Sequence, residues 1–194
     1  FSMDIPLQPI LFAIPSLALV LLLRRAGIAW REAFTRVGWQ GSPPVYFAWA
    51  LEIIVPLIGL AWLGQLFIPA ELFQSEHVSL SAYAGMSPTL ATLAFILLQE
   101  AIYIALGEEI FFRGWLGGWL VRRFGFLTGN TIQAFAFLLP HLLLLTIGLE
   151  FWPILIPQFI AGWLFGWLRH RSGSILPCWF AHTLSNVLGA WRSL

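Results

Sequence analysis

Six long apolar runs constrain this chain more than any other feature of its sequence. Each run is long enough to cross the roughly 30 Å of hydrocarbon in a bilayer as an α-helix. The runs are continuously apolar and do not alternate with a period of two, which excludes the spans of a membrane β-barrel. They cover residues 5–23, 45–68, 89–121, 128–149, 152–168 and 174–191, or 133 of 194 residues. The sequence therefore predicts an all-α, polytopic membrane bundle of about six transmembrane helices.

The composition supports a membrane protein and excludes several other classes. Hydrophobic residues make up 59% of the chain and charged residues 10%, whereas about a quarter of an ordinary soluble domain is charged. A single soluble core of this size cannot bury so much apolar surface. The net charge of +1 without a basic stripe gives no surface for nucleic acid. The single Cys178 excludes an internal disulfide and a multi-cysteine metal site.

The runs form one predicted transmembrane domain over residues 1–194. No internal repeat is visible, and the connections are too short for a separate soluble domain. The first run lacks a basic leader and a small-residue cleavage site, so we interpret it as a retained helix. Segment 26–42 carries Trp30, Phe34 and Val37 at helical spacing, which fits either a short interfacial helix or an anchoring loop.

The arginines predict an orientation. Cytoplasmic loops carry an excess of basic residues, and alternating spans place eight of the ten arginines on one side. These are Arg24, Arg25, Arg31, Arg36, Arg122, Arg123, Arg169 and Arg171. The loop 69–88 carries Glu71, Glu76 and His77 without arginine, which suits the outer face. Both termini are then predicted to lie outside. The absence of lysine hints at a bacterial source, and hence at a bacterial cytoplasmic (inner) membrane.

Ionisable residues occur inside the predicted spans, where each costs roughly 2.5 kcal/mol or more if it faces lipid. Such residues usually face the bundle interior and mark a functional site. The third run contains Glu100, Glu108, Glu109 and Arg113, the fourth contains His141, and the sixth contains His182 and Asn186.

The third run places two glutamates in different directions. Glu109 and Arg113 are four residues apart on one helical face, which predicts an ion pair. Glu108 points about 100° away and is free to address another helix as a general base on water. The alternative is a structural ion network in which both glutamates serve only Arg113.

The histidines have similar alternatives. His182 and Asn186 project from one helical face, where they can donate hydrogen bonds to an oxyanion, bind a metal through His182, or join two helices. His141 follows Pro140 and is either a packed histidine that satisfies a carbonyl freed at a kink or part of a site. Counting 1.5 Å per residue from the cytoplasmic ends, Glu108 and His141 lie at roughly 20 Å and His182 at about 12 Å. A shared layer within the membrane is expected.

Three motifs in register resemble a known family. Glu108, Glu109 and Arg113 match EExxxR, Phe137 and His141 match FxxxH, and His182 and Asn186 match HxxxN. In this order the motifs resemble the CPBP intramembrane protease family, which includes CAAX-processing endoproteases and bacteriocin-processing or Abi-like immunity proteins. The resemblance covers about residues 89–188.

The resemblance implies a four-helix catalytic core around a conical cavity. It implies that Glu108 activates water, with Glu109 and Arg113 supporting it. His141 would position water or bind a metal, and His182 with Asn186 would bind the substrate carbonyl oxygen. Zinc or another divalent metal on Glu108, His141 and His182 stays open beside a metal-free mechanism, since the chain has no HExxH.

The leading interpretation is an intramembrane endopeptidase acting on a membrane-associated protein or peptide in contact with lipids. The chain lacks an extended loop for gripping a long substrate, and a bacterial source would disfavour prenylated C-termini. One alternative is a non-catalytic scaffold or accessory subunit of a larger membrane complex. Another is a proton-coupled transporter, which the absence of visible inverted repeats disfavours.

Overall fold

The computed structural model describes residues 7–74 and 79–194, and these residues form helices without any strand. The seven longer helices are α1 (Leu7–Arg25), α2 (Trp30–Arg36), α3 (Pro44–Gln65), α4 (Leu90–Phe124), α5 (Phe126–Ile147), α6 (Trp152–Ser172) and α7 (Leu176–Arg192). Helices α1, α3, α4, α5 and α6, the last with the preceding 3₁₀ turn Leu149–Phe151, are long and apolar enough to cross a membrane. The all-helical membrane bundle predicted from the sequence is therefore confirmed.

Each of the six apolar runs corresponds to one of these helices, but several ends differ. The fifth run was expected to end at Leu168, whereas α6 continues through three basic residues to Ser172 and ends at Gly173 in the left-handed conformation. Apolarity marks depth in the membrane, whereas backbone hydrogen bonds and the C-cap glycine set the helix end. Helix α7 has 17 residues and is the shortest of the six helices that correspond to apolar runs. Residues 5 and 6 of the first run, and Glu76 and His77 of the outer loop, lie outside the described residues.

Of the two alternatives for segment 26–42, a short helix or a loop, the structure shows the short helix. Helix α2 buries Ala33 on its inner face, and Ala33 packs with Val37 against Val20 of α1. Glu32 and Arg36 lie on its exposed face and form an ion pair. Helix α2 is therefore docked on the end of α1.

Helix α4 changes its winding where its charged residues occur. It is α-helical over Leu90–Leu98, π-helical over Gln99–Ala105, α-helical over Leu106–Glu108 and π-helical over Glu109–Leu116. The two π-helical stretches carry Glu100, and Glu109 with Arg113. Turns with π winding are rare and are often found at functional sites.

The helices enclose a polar centre. Helix α5 packs between α4 and α6, α7 packs on α3, α4 and α6, and α1 packs along α4. The apolar core lies where α3, α6 and α7 meet, around Leu57, Phe165, Leu168 and Ala181.

A buried tyrosine connects the described part of the loop 69–88 to the bundle. Tyr83, at the end of the 3₁₀ turn Ser79–Tyr83, is 5% exposed and packs with Ile96 and Val187. Its hydroxyl donates a 2.7 Å hydrogen bond to Glu100. Burial and the neighbouring carboxylate raise the pKa of Tyr83, so it remains a neutral donor. This contact ties the loop to α4 beside the polar centre.

Candidate active site

A cavity of about 400 Å³ lies inside the bundle and holds most of the predicted site residues. Its polar lining consists of Gln8, Gln65, Glu100, Glu108, Gln158, His141, His182, Ser185 and Asn186. Helices α4 to α7 contribute most of this lining, as expected for a four-helix core. Helices α1 and α3 also contribute, so the wall has more than four helices.

Glu109 is the hub of the polar centre. One of its oxygens, Oε1, accepts hydrogen bonds from Nη1 of Arg113 and from Nδ1 of His182, each at 2.8 Å. The side chain is fully buried and lies behind the cavity wall. The predicted ion pair between Glu109 and Arg113 is therefore present. The same carboxylate also holds the histidine of α7, which the sequence did not indicate.

Arg113 is buried between aromatic rings. Its guanidinium carbon lies 4.1 Å from the ring centre of Phe137 and 5.5 Å from that of Phe165. Glu109 is its only anionic partner among the described residues, and Nε and Nη2 have no hydrogen-bond partner there. A buried cation held by one carboxylate and two ring faces depends strongly on that carboxylate.

The contact with Glu109 sets the proton of His182. An ionised carboxylate only accepts hydrogen bonds, so Nδ1 of His182 carries a proton, and Nε2 is an acceptor in the neutral form of the ring. Nε2 lies 3.8 Å from Oε2 of Glu108, too far for a direct hydrogen bond. Glu108 does not contact Arg113 in the part of the chain that the structure describes. Among these residues, Glu109 alone pairs with the arginine. Glu108 and Glu109 address opposite nitrogens of one imidazole.

Gln8 of α1 holds the other oxygen of Glu108. Its side-chain amide donates a 3.0 Å hydrogen bond to Oε1 of Glu108. The close approach of α1 depends on Gly107, because a Cβ there would lie 2.5 Å from Cα of Pro9. Gln8 was missed in the sequence, where a polar residue in an apolar run was the available signal.

His141 lines the same cavity from α5. It sits on the 3₁₀ turn Leu139–Leu143 that begins before Pro140. Its Nδ1 lies 3.0 Å from the carbonyl oxygen of Phe137. A carbonyl only accepts, so Nδ1 is the donor and Nε2 is the free acceptor. The ring also lies beside Phe137, with centres 5.0 Å apart.

Asn186 lies on the cavity wall one turn beyond His182. It makes no hydrogen bond to another described residue, so its amide is free to address a molecule in the cavity. Phe165, which stacks over Arg113 and lies 6.0 Å from His182, is a second residue that the sequence did not indicate. Its position among the glycines of α6 was the only signal.

The three residues expected for a metal do not form a compact ligand set. Among the described residues, no three His, Cys, Asp or Glu side chains are grouped closely enough to hold a metal ion. His182 and Glu108 are adjacent, whereas Nδ1 of His141 bonds the Phe137 carbonyl. This arrangement of the described residues does not fit the three-residue ligand set.

Comparison with known proteins identifies the family. The sequence profile of the family described as Type II CAAX prenyl endopeptidase Rce1-like matches residues 89–188. No curated protein and no solved structure shows significant similarity to the chain. The matched region holds all three motifs, which confirms the resemblance to CAAX-processing membrane proteases. Since the match covers 100 of 194 residues, the chain belongs to the Rce1-like type II CAAX prenyl endopeptidase family.

Proposed function

We propose that this integral membrane protein is an intramembrane endopeptidase that cleaves a membrane-associated protein or peptide with a water activated by Glu108. The observation that carries the proposal is the chain of contacts from Arg113 through Glu109 to His182, with Glu108 3.8 Å from the far side of the imidazole. This chain fixes the orientation and tautomer of His182 beside a carboxylate that faces the cavity. Membership in a protease family supports the reaction class.

The water is proposed to bind between Glu108 and His182. With His182 in its neutral form, Oε2 of Glu108 and Nε2 of His182 are both acceptors, and their 3.8 Å separation allows a bridging water. A water that donates one hydrogen to each keeps its oxygen lone pairs free for attack. This arrangement orients the nucleophile before the substrate binds.

The proposed reaction balances with Glu108 as a proton shuttle. The water oxygen bonds to the substrate carbonyl carbon while Glu108 takes the water proton. Glu108 then gives this proton to the amide nitrogen as the C–N bond breaks, releasing a carboxylic acid and an amine. Gln8 holds the other carboxylate oxygen and so limits rotation of Glu108.

Asn186 is the proposed donor to the oxyanion. Its free amide faces the cavity one turn from His182, where its N–H can stabilise the developing negative charge. His182 with its proton on Nδ1 cannot donate from Nε2 to the same oxygen. The division of roles is therefore His182 for the water and Asn186 for the carbonyl, with His141 contributing a second acceptor on the cavity wall.

Glu109 and Arg113 are positioning residues in this mechanism. Both are fully buried behind the cavity wall and do not reach the reacting atoms. Glu109 fixes the proton on Nδ1 of His182, and Arg113 holds Glu109 in place. Residues of this kind change the rate only through the group that they orient.

The chain is proposed to lie in a bacterial inner membrane with both termini outside, which places the cavity in the outer half of the bilayer, because Gln8, Gln65 and Gly189 line it at the helix ends opposite most of the arginines. The basic residues at the ends of α1, α4 and α6 support this orientation. Cysteine labelling at Ser193 in intact cells tests it. Labelling from outside is expected, and labelling only after permeabilisation would contradict it.

Glu108→Gln tests the mechanism. The amide keeps the shape of the side chain but cannot accept the water proton, so we expect cleavage to fall by about 10²- to 10⁴-fold with an unchanged melting temperature. The assay uses protein in liposomes and a library of quenched fluorescent membrane peptides. Glu71→Gln, on the outer loop, is the matched control and should leave cleavage unchanged. Full activity in Glu108→Gln would eliminate the glutamate-base mechanism, and no cleavage by the wild-type protein would favour the accessory-subunit alternative.

A further inference from the structure

Glu52 of α3 is a carboxyl group on the outside of the bundle. It is eight residues from Pro44, which is about 12 Å along the helix and well inside the apolar span. Its side chain is exposed and makes no hydrogen bond or ion pair with the described residues. Its neighbours Leu51 and Val55 are exposed apolar side chains, at 44% and 71%. An ionisable group normally avoids such a surface because lipid offers it no partner.

Pro56 adds a second unmatched group at the same place. Proline has no backbone N–H, so the carbonyl of Glu52 lacks the hydrogen bond that residue 56 would donate in a regular helix. In hydrocarbon, such a carbonyl has no water to replace the lost donor and is commonly satisfied by a neighbouring helix. One residue therefore presents both a carboxyl group and a backbone acceptor.

Gly59 leaves room for another helix on this face. It lies two turns after Glu52 and so on the same side of α3. No atom lies within 4 Å of the position that a Cβ would occupy at Gly59. Ala48, one turn before Glu52, is also small and exposed. Small residues at such positions allow helix backbones to approach closely in membranes.

This face points away from the active-site cavity. Helix α3 packs on α6 and α7 through Ile54 and Leu57, and Leu57 also lines the cavity. Glu52 and Gly59 lie on the opposite side of the helix. Occupation of the outer face therefore leaves the cavity open.

We infer that Ala48, Glu52 and Gly59 form a self-association surface, where a second copy of this chain docks through its own α3 across a twofold axis. A protonated Glu52 carboxyl has one O–H donor, and the freed carbonyl is one acceptor. Across the axis each O–H donates to the main-chain carbonyl of the partner's Glu52, so two copies satisfy both groups without another residue type. The described arginines lie near helix ends or, like Arg113, are buried with an acid. Arg171 and Arg192 pack on Trp49 and Trp62 of α3, but neither forms an ion pair with Glu52 among the described residues.

The test measures association of the full chain in phosphatidylcholine vesicles by Förster transfer between donor- and acceptor-labelled copies over a range of protein-to-lipid ratios. We expect the wild-type protein to dimerise. Glu52→Leu and Gly59→Leu should each raise the dissociation constant at least tenfold, and Glu52→Gln should stay near wild type because its amide can donate. Pro56→Ala should weaken association, since it restores the internal helical hydrogen bond.

Ala18→Leu, a small-to-large change on the exposed face of α1, is the control and should leave association unchanged. Thermal melting verifies that each variant is folded. A wild-type protein that is monomeric at every ratio would overturn the inference, as would a Glu52→Leu variant that associates like wild type. Equal weakening by Ala18→Leu would also overturn it, because the association would then be non-specific.

Discussion

Two ion pairs in this chain have the same spacing and nearly the same length but opposite surroundings. On α2, Glu32 and Arg36 are four residues apart, 2.7 Å between charged atoms, with side chains 54% and 44% exposed. On α4, Glu109 and Arg113 are also four residues apart, 2.8 Å between charged atoms, and both side chains are fully buried. The geometry of the two pairs is almost identical, so any difference in their energies comes from the environment.

The difference shows that the distance between two charges does not by itself set how much the pair contributes to the stability of the fold. An exposed pair competes with water and salt and contributes about 0–1 kcal/mol. A buried pair has already lost its water, so removing one partner leaves a charge without compensation and costs about 3–5 kcal/mol. The buried pair also orients His182, so it links stability to the proposed chemistry. The exposed pair has no such connection.

The largest expected effect is from Arg113→Ala. It leaves Glu109 buried without its cation and opens space between Phe137 and Phe165. We expect a loss of about 3–5 kcal/mol in the free energy of unfolding, measured by denaturation in detergent micelles. Arg123→Ala, at an exposed arginine on the same helix, is the control and should change stability by less than about 0.5 kcal/mol. Equal losses in the two variants would mean that burial does not distinguish these arginines.

A hydrogen bond from a neutral donor to a buried carboxylate should contribute to stability by an amount between the contributions of the two ion pairs. Tyr83→Phe removes the hydroxyl that donates to Glu100, while both residues stay buried. We expect a loss of about 1–3 kcal/mol in unfolding free energy, because the buried side chain of Glu100 loses its hydrogen-bond donor. Thermal unfolding of the variant measures this loss. The comparison would fail if Tyr83→Phe were as costly as Arg113→Ala, since burial would then dominate over charge.

The motif residues show how much of this molecule the sequence predicts. Apolar runs predicted the helical membrane bundle because burial in lipid requires little more than length and hydropathy. The four-residue spacing predicted the Glu109–Arg113 pair because helix geometry is local. The proposed roles of Glu108, His141, His182 and Asn186 remain predictions, although the structure places all four on one cavity.

The remainder depended on contacts between distant parts of the chain. Gln8 and Glu108 are 100 residues apart, and His182 and Glu109 are 73 apart, so neither contact has a local pattern in the sequence. The proton on Nδ1 of His182 follows from the contact with Glu109, and the sequence alone does not predict it. Glu52 was passed over because hydropathy describes a whole run and does not show which face of α3 the other helices cover.

Gln8→Leu tests a contact between an exposed donor and a partly buried acceptor. Loss of the amide frees Oε1 of Glu108, so we expect kcat to fall by about five- to tenfold, which corresponds to about 1 kcal/mol, with KM little changed. The hydrogen bond favours the charged carboxylate, so the acidic limb of the pH–rate profile should move to higher pH. A fall in folded yield with an unchanged profile would indicate that Gln8 serves only to dock α1.

The smallest expected effect is from Arg36→Ala on the exposed pair. Both side chains are about half in contact with solvent, so water replaces most of what the pair loses, and we expect a change in unfolding free energy below about 1 kcal/mol. Mobile ions screen exposed charges over about 10 Å at 0.1 M salt but reach buried charges poorly. The small effect of Arg36→Ala should therefore shrink further as salt is raised from 0.05 to about 0.5 M, whereas the effect of Arg113→Ala should stay constant. Parallel salt titrations of the two variants measure this difference directly. Equal salt dependence would show that solvent reaches both pairs. A larger contribution to stability from the buried pair would then no longer be expected.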